Sequence, residues 1–535
     1  MTSARNKFLS LLFAAAVLSA CKKDSDRPQW DIDVLVPLVR STLDISNLIN
    51  DTLLQSDTNH VLHLVYEKNL YDLNLDSLVS IPDTVIKTTV DYHVSVPVPP
   101  NFPVYSDTSQ FALAVNGPQI RLAILRNGTL TLKAVNYLQT KLKYVFKIPG
   151  ATLGIDTFIK TGFVSAASAN DSLTYETNYD LAGYEINMTG TSGTSYNTIS
   201  YFLEVRTDPA GDTVYTSAIT PIVNLYETFA DIFPEYVKGY LGQDTISEGP
   251  STTQVDIFKK IQSGILNLAD AKLTCTIENG IGADGRLIIS NITGVNNRTG
   301  GNVSLSSTQL INRSINIDRA LETGQPISPP QTTQKIISVN STNSNIVDFI
   351  ENLPDALSYS VQLYTNPIPP GNISGSNDFV YADYLITTKM RFEMPLSFSA
   401  GNLTFVDTVD FISKPEETFA DFRSGKLKLI AENGFPFQVA LTLTLLDENI
   451  AALSTLSSTG IIASGVVGAN GRVNQKVESV VDIPVSETQM AALKKTKKII
   501  TRASFTTAQY PVIRNIYDDY SIGITLVADF TYMIH

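Results

Sequence analysis

The 535-residue sequence predicts a mostly β protein of two or three antiparallel β-sandwich units with short α-helices interspersed. Three observations predict it. Apolar and polar residues alternate at period two along most of the chain, which sets one strand face against a core and the other in water. A strand pattern ending in Asn recurs three times. Hydrophobic content is 43% against 17% charge, and a single Cys lies beyond residue 21, so stability must come from buried apolar surface and not from cross-links.

The elements follow in chain order. Arg5 and Lys7 precede an apolar stretch at residues 8–20, broken only by Ser10 and Ser19. Such a stretch is too short to cross a hydrocarbon layer ~30 Å thick and has the length of a signal-peptide core. It ends in Leu18-Ser19-Ala20-Cys21, which resembles the lipobox of bacterial lipoproteins. The resemblance implies that Cys21 is acylated with palmitate-type chains and becomes the first residue of the mature protein. Several acyl chains hold a protein firmly, whereas one holds it reversibly. Lys22 after the Cys fits the outer membrane better than inner-membrane retention. Lys22-Lys23-Asp24-Ser25-Asp26 is similar to the charged tags of surface-exposed Bacteroidota lipoproteins, and equally reads as a solvated tether.

The expected organisation is a signal peptide at 1–20, a tether at 21–29, and three β-rich units at 30–250, 251–400 and 401–535. Alternation begins at Trp30, a short helical pattern is expected at 43–49, and strands are expected at 61–66 and 70–79. The Pro-rich stretch at 95–103 lacks donors and reads as a loop or sheet edge. Residues 128–136, 271–279 and 425–433 each place Leu two positions after a small residue, an apolar residue at four and Asn at eight. Asn tolerates left-handed geometry and can bond its own backbone, so each Asn is expected to set a turn between two strands. Tyr381-Ala382-Asp383-Tyr384 and Tyr517-Asp518-Asp519-Tyr520 each open a later strand, and each follows a helical pattern, at 345–353 and 487–493. In the latter, Ser486 and Gln489 form a capping box. Repeated order means repeated fold. A further helix is expected from about Thr253 through Ile261, ended by Gly264. The Asn-centred strands, with Asn433-Gly434-Phe435-Pro436-Phe437 the nearest piece, resemble the β-sandwich of late-embryogenesis-abundant type 2 (WHy) modules. That likeness implies a fold and no activity.

Searching the sequence for chemistry returns little. The net charge of −13 opposes nucleic-acid phosphate as a partner for the body of the protein. Lys494, Lys495, Lys497 and Lys498 read as the wet face of a helix. His60 and His63 lie in strand text, where i and i+3 point to opposite faces, so no metal is expected there. Asp72, Asn74 and Asp76 imitate a calcium loop but lack its Gly, with Ser77 in that place. Cys275 alternates with Leu273 and Ile277 and reads as a small buried hydrophobe. Asp383 and Asp519 read as turn or strand-start residues. Seven Asp-Ser/Thr-aliphatic tripeptides, among them those at Asp51, Asp171 and Asp407, resemble O-glycosylation sites of exported Bacteroidota proteins. The densest aromatic stretch, 224–242, offers Tyr236 and Tyr240 as ligand-binding candidates.

No catalytic residue, metal site or cofactor is expected. The sequence reads as a non-enzymatic binding or structural lipoprotein of the outer membrane, on its periplasmic or surface face. Membrane attachment would run through the lipid, and partners would be an envelope protein, a glycan or a lipid. Two alternatives stand beside this: a lipid carrier with an apolar groove, and a surface protein that binds or processes glycans.

Overall fold

The computed structural model describes residues 30–534 apart from 48–52, 74, 76–77, 116, 170, 325–327, 368–371 and 412–414. The leader, the tether and Cys21 lie outside the described residues. The chain is mostly β.

Three strands come first: β1 (Trp30–Leu43), β2 (Leu62–Asp72) and β3 (Thr84–Val90). The first unit continues with β4 (Pro103–Ala112), β5 (Gln119–Asn136), β6 (Leu142–Leu153), β7 (Asp156–Val164), β8 (Leu173–Asp180), β9 (Thr198–Thr207) and β10 (Val223–Tyr240). Next come β11 (Thr245–Gln254), β12 (Ile261–Leu268), β13 (Lys272–Asn279), β14 (Gly285–Asn296), β15 (Gly301–Ser304) and β16 (Thr333–Asn340). Helix α1 (Ile346–Glu351) then leads into β17 (Ala356–Thr365), β18 (Asp378–Tyr381) and β19 (Ile386–Pro395). The last unit holds β20 (Ser397–Asp410), α2 (Pro415–Thr418), β21 (Phe422–Asn433), β22 (Phe437–Leu446) and β23 (Ala452–Ser457). It ends with β24 (Val477–Val485), α3 (Glu487–Leu493), β25 (Lys498–Thr507) and β26 (Ile522–Ile534).

The three units repeat one strand order. In the first, one sheet runs β3-β10-β5-β8 and the other β4-β9-β6-β7. The second unit reads β2-β19-β13-β16 and β11-β17-β14-β15. The third reads β1-β26-β21-β24 and β20-β25-β22-β23. All of these pairs are antiparallel, as alternation with one wet face requires.

Residues 30–72, expected in the first unit, belong elsewhere. β1 completes a sheet of the third unit, β2 a sheet of the second, and only β3 stays with the first. The chain lays one edge strand on each unit in reverse order and then builds the units forward. Its first described strand therefore lies along its last, with Trp30 opposite Ile534. Two further strands cross between units: β12 pairs β20, and β18 pairs β10.

The repeat rests on three buried amides. Asn136, Asn279 and Asn433 end β5, β13 and β21, and each is fully buried. Each Oδ1 accepts from the backbone N–H two residues on, Leu138 at 2.9 Å, Ile281 at 2.8 Å and Phe435 at 2.9 Å. Each Nδ2 donates to the carbonyl four residues on, that of Thr140, Ala283 or Phe437, at 2.9, 3.1 and 2.9 Å. A second donation crosses to the carbonyl of Ser165, Asp318 or Ala463, at 2.9, 2.9 and 2.8 Å. One buried side chain thus satisfies three backbone groups, two of them buried with it.

Two expected helices form other structures. At 43–49, β1 runs on to Leu43 and a 3-10 turn covers Ile45–Asn47. Around Thr253 the chain is β11, a turn and β12. There the Arg298 guanidinium donates to the carbonyls of Phe258, Ile261 and Leu353, so two carbonyls of this segment are held by a side chain and not by a helix. Gly264, expected as a helix cap, has φ +114 inside β12, and a Cβ there would meet Leu403 Cα at 2.4 Å. It permits close approach to β20 at a break in the register. The other two helices form as expected, and Ser486 and Gln489 make their capping box.

Candidate functional site

Polar chemistry gathers in two kinds of place, the junctions between units and the interior of the first unit. At the first junction, β18 adds to β10 and sets Tyr236 opposite Tyr381. Their rings lie 4.8 Å apart, within a small apolar cluster that includes Ile124, Ala320 and Phe379. The Tyr236 hydroxyl donates to Glu322, which also pairs with Lys238 at 2.6 Å. Burial, then this bond, raises the Tyr236 pKa. Asp383 pairs with Arg126 at 2.8 Å, and Arg126 also holds Glu235. Behind them Asp378, fully buried, accepts from Asn366 Nδ2 at 2.8 Å and from the N–H of Leu241 at 3.1 Å, and pairs with Arg319 at 3.4 Å.

The second junction uses the second Tyr-x-Asp-Tyr segment. Tyr517 bridges to Val61, and the Leu62 N–H donates to the Ile516 carbonyl at 2.9 Å. Asp518 accepts from Ser56 at 2.6 Å and lies 3.1 Å from His60, reaching across to the second unit. Asp519 pairs at 2.6 Å with Arg472 of its own unit, whose guanidinium sits 4.2 Å from the centre of the Tyr517 ring. Both segments are clasps that grip the preceding unit. The first unit carries no such segment.

The structure therefore removes Tyr236 from any open face. It is 1% exposed and part of a clasp, because β10 alternates and points this ring inward. Tyr240 is half-buried at the end of β10, opposite Gln119. Within the 224–242 stretch, Tyr236 helps to build a junction. His60 and His63 face different carboxylates, Asp518 for the first and Asp57 for the second, the latter at 3.5 Å. Asp72 ends β2, while Asn74, Asp76 and Ser77 of the calcium-loop imitation lie outside the described residues. Cys275 is fully buried in β13, and burial pushes its thiol up to about 12. The lysine cluster follows α3 instead of lining it, and Lys497 and Lys498 pair with Glu416 and Asp410.

Sequence reasoning missed the interior group. Glu227 on β10 is 2% exposed, and its Oε2 has no hydrogen-bond partner. Burial raises its carboxyl from the ordinary 4.5 to about 7. It lines a narrow cleft between the two sheets of the first unit. The signal was present in the sequence: Glu227 breaks the apolar set Val223, Leu225 and Phe229 on the inward face of one strand. A second narrow cleft lies in the second unit, lined by Tyr66, Phe258, Phe349 and Phe392 among others.

No protein-family model and no curated protein matches the chain. Among solved structures, the chain is similar to a Parabacteroides distasonis protein assigned as secreted, at 14% identity and a TM-score of 0.24, over 54% of this chain and 82% of that one. The structure of infectious bursal disease virus Gx strain aligns at 9% identity and a TM-score of 0.13, over 90% of this chain and 81% of that one. The VP2 subviral particle of that virus aligns at 9% identity and a TM-score of 0.12, over 90% and 82%. Superpositions at such scores carry no argument about fold or function.

Proposed function

We propose that the chain is a lipid-anchored, non-enzymatic component of a bacterial cell envelope, a three-unit spacer tied to the outer membrane through Cys21. The observation that carries this reading is the pairing of β1 with β26 along its length. Any tether preceding Trp30 enters at the third unit, so that unit stands nearest the lipid and the first unit projects farthest. Strands shared between units and the two tyrosine clasps favour a body that transmits position instead of folding back on itself. The carboxylates, cations and tyrosines at the clasps are engaged with one another, which favours a structural role for them over turnover. The Asn-set sandwich also agrees with what the resemblance to late-embryogenesis-abundant type 2 modules implies. Partners would be an envelope protein, a glycan or a lipid.

Metabolic labelling with a palmitate analogue tests the anchor. Wild-type protein should be labelled and Cys21→Ser should not. Label that is missing from wild type, or undiminished in the variant, contradicts the reading. Protease shaving of intact cells then separates the surface face from the periplasmic one.

A further inference from the structure

The second sheet of each unit ends in an edge strand, and the three edges are finished differently. In the second unit the edge is β15, four residues long, with α1 beside it. The asparagines that flank α1 take its end carbonyls: Asn345 Nδ2 donates to Ser304 at 3.0 Å and Asn352 Nδ2 to Gly301 at 3.2 Å. In the third unit the edge is β23, six residues long. There Met490 and Leu493 of α3 share a core cluster with Leu456, and Gln489 Nε2 donates to the Thr455 carbonyl at 3.0 Å.

The edge of the first unit is β7, nine residues long and paired on one side with β6. The place in the order that α1 and α3 hold is taken here by the strand Glu185–Asn187, which pairs with β5 and β6 instead. Among the described residues, no strand pairs with the free side of β7 and no side-chain amide donates to its carbonyls. An edge strand presents a row of unpaired N–H and C=O groups, a template for another chain unless it is shortened or covered. Here it is neither.

The side chains around this edge select what can join it. On the outer face Ile159 and Phe163 are each 49% exposed, with Lys147 and Lys143 opposite them on β6. On the other face Lys160 lies over the rings of Phe158 and Tyr179, at 5.0 and 5.1 Å. The hairpin 141–164 thus carries Lys141, Lys143, Lys147 and Lys160 against a single carboxylate, Asp156, in a chain whose net charge is −13. Among the described residues these lysines pair with no carboxylate, and Glu204 on the neighbouring β9 is taken by Arg206 at 2.9 Å. A second copy brought edge to edge would set lysine against lysine, which is unfavourable between paired strands. A lipid surface could meet the lysines but would leave the strand ladder unmade.

We propose that β7 receives an extended, acidic segment of another protein as a fifth strand, its apolar side chains beside Ile159 and Phe163 and its carboxylates on Lys160 and the lysines of β6. Main-chain hydrogen bonds supply the attachment, and the alternating side chains supply the choice of partner. This names one partner class within the envelope reading. Binding is read on protein without lipid, so its failure is distinct from a failure at Cys21.

Fluorescence anisotropy on the mature chain carrying Cys21→Ser, with labelled peptides as long as β7, tests the edge. One peptide alternates valine and glutamate, one alternates valine and lysine, and one is the glutamate peptide with a central proline, which cannot complete a ladder. Wild type should bind the glutamate peptide about tenfold or more tighter than either of the others. Hydrogen exchange within β7 should slow when that peptide is bound. Lys160→Glu should level or reverse the preference for glutamate over lysine, and Lys147→Glu on the outer face should weaken the glutamate peptide, with circular dichroism verifying both folds. No binding of the glutamate peptide, equal binding of the glutamate and lysine peptides, a preference unchanged in both variants, or exchange slowed elsewhere and not in β7 overturns the proposal. So does a dimer in sedimentation whose formation alone protects β7, because the edge would then belong to a second copy.

Discussion

The first unit and its two successors share their strand order, their edge strand from the N-terminal segment and their buried Asn. They differ in what holds them to a neighbour and in what fills them. The second and third units each reach back with a tyrosine clasp, at Tyr381 and at Tyr517, and the first carries no such segment. Their interiors are closed by Met390 and Leu526 where the first holds Glu227. Among the described residues, only the first joins its two sheets through a short strand, Glu185–Asn187, which pairs with both β5 and β6. The parts that repeat are those that satisfy the backbone. The parts that differ mark position along the chain and the chemistry of one interior.

The largest effect is expected where the units agree. Asn136→Ala, Asn279→Ala and Asn433→Ala each strand a buried N–H and a buried carbonyl and remove a further, part-buried bond. At about 1–3 kcal/mol per buried group, each variant should lose roughly 3 kcal/mol or more. Hydrogen exchange resolved by unit would show the loss in the substituted unit. A unit that tolerated the change would break the equivalence.

A smaller effect should separate the first unit from the others by pH. A folded pKa of about 7 against an ordinary 4.5 means that the folded state binds the extra proton. The contribution of Glu227 is fully present below pH 4.5 and is lost as pH rises through 7. The span corresponds to about 3 kcal/mol. Glu227→Met should therefore stabilise the first unit at pH 8 relative to wild type and should flatten its pH dependence. Urea melts at pH 4 and pH 8 check this, and an unchanged slope would remove Glu227 as the cause.

The two clasps should then rank by burial. Tyr236→Phe deletes the hydroxyl of a buried ring that donates to part-exposed Glu322 and should cost about 1–2 kcal/mol at the first junction. Asp518→Asn weakens a carboxylate that is partly open to solvent and should cost less than about 1 kcal/mol. Limited proteolysis at the junctions reads both. A larger loss from Asp518→Asn would reverse the ranking.

The Asn repeats were legible because their signal is local: a strand, an Asn and a returning strand within a few residues. Helices α1 and α3 were legible for the same reason, since apolar spacing and the Ser486 cap lie on one short segment. The placement of β1 and β2 was not, because nothing at residues 30–72 encodes partners hundreds of positions away, such as Ile534 for Trp30. The false helix after Thr253 shows how spacing misleads. Val255 and Phe258 are buried as the pattern implied, but in a turn fixed by Arg298, forty residues from one of the carbonyls it holds. The burial of Tyr236, a ligand-binding candidate in the sequence, was not legible because one-sequence reasoning gives a strand's alternation without saying which face a neighbouring unit will cover. Glu227 was legible in principle, as a charge on an inward face, and only comparison with Met390 and Leu526 gives it meaning.

The reverse threading of the N-terminal strands decides where a tether enters, and one cross-link tests it directly. Asp33 lies opposite Thr531, and the Thr531 hydroxyl donates to its carboxylate at 3.1 Å. Asp33→Cys with Thr531→Cys, in a chain carrying Cys21→Ser, should form an intramolecular disulfide under mild oxidation, identified by peptide mass spectrometry. A pair that stays reduced, or that joins only separate molecules, would contradict the placement of β1 beside β26 and, with it, the proposal that a tether enters at the third unit.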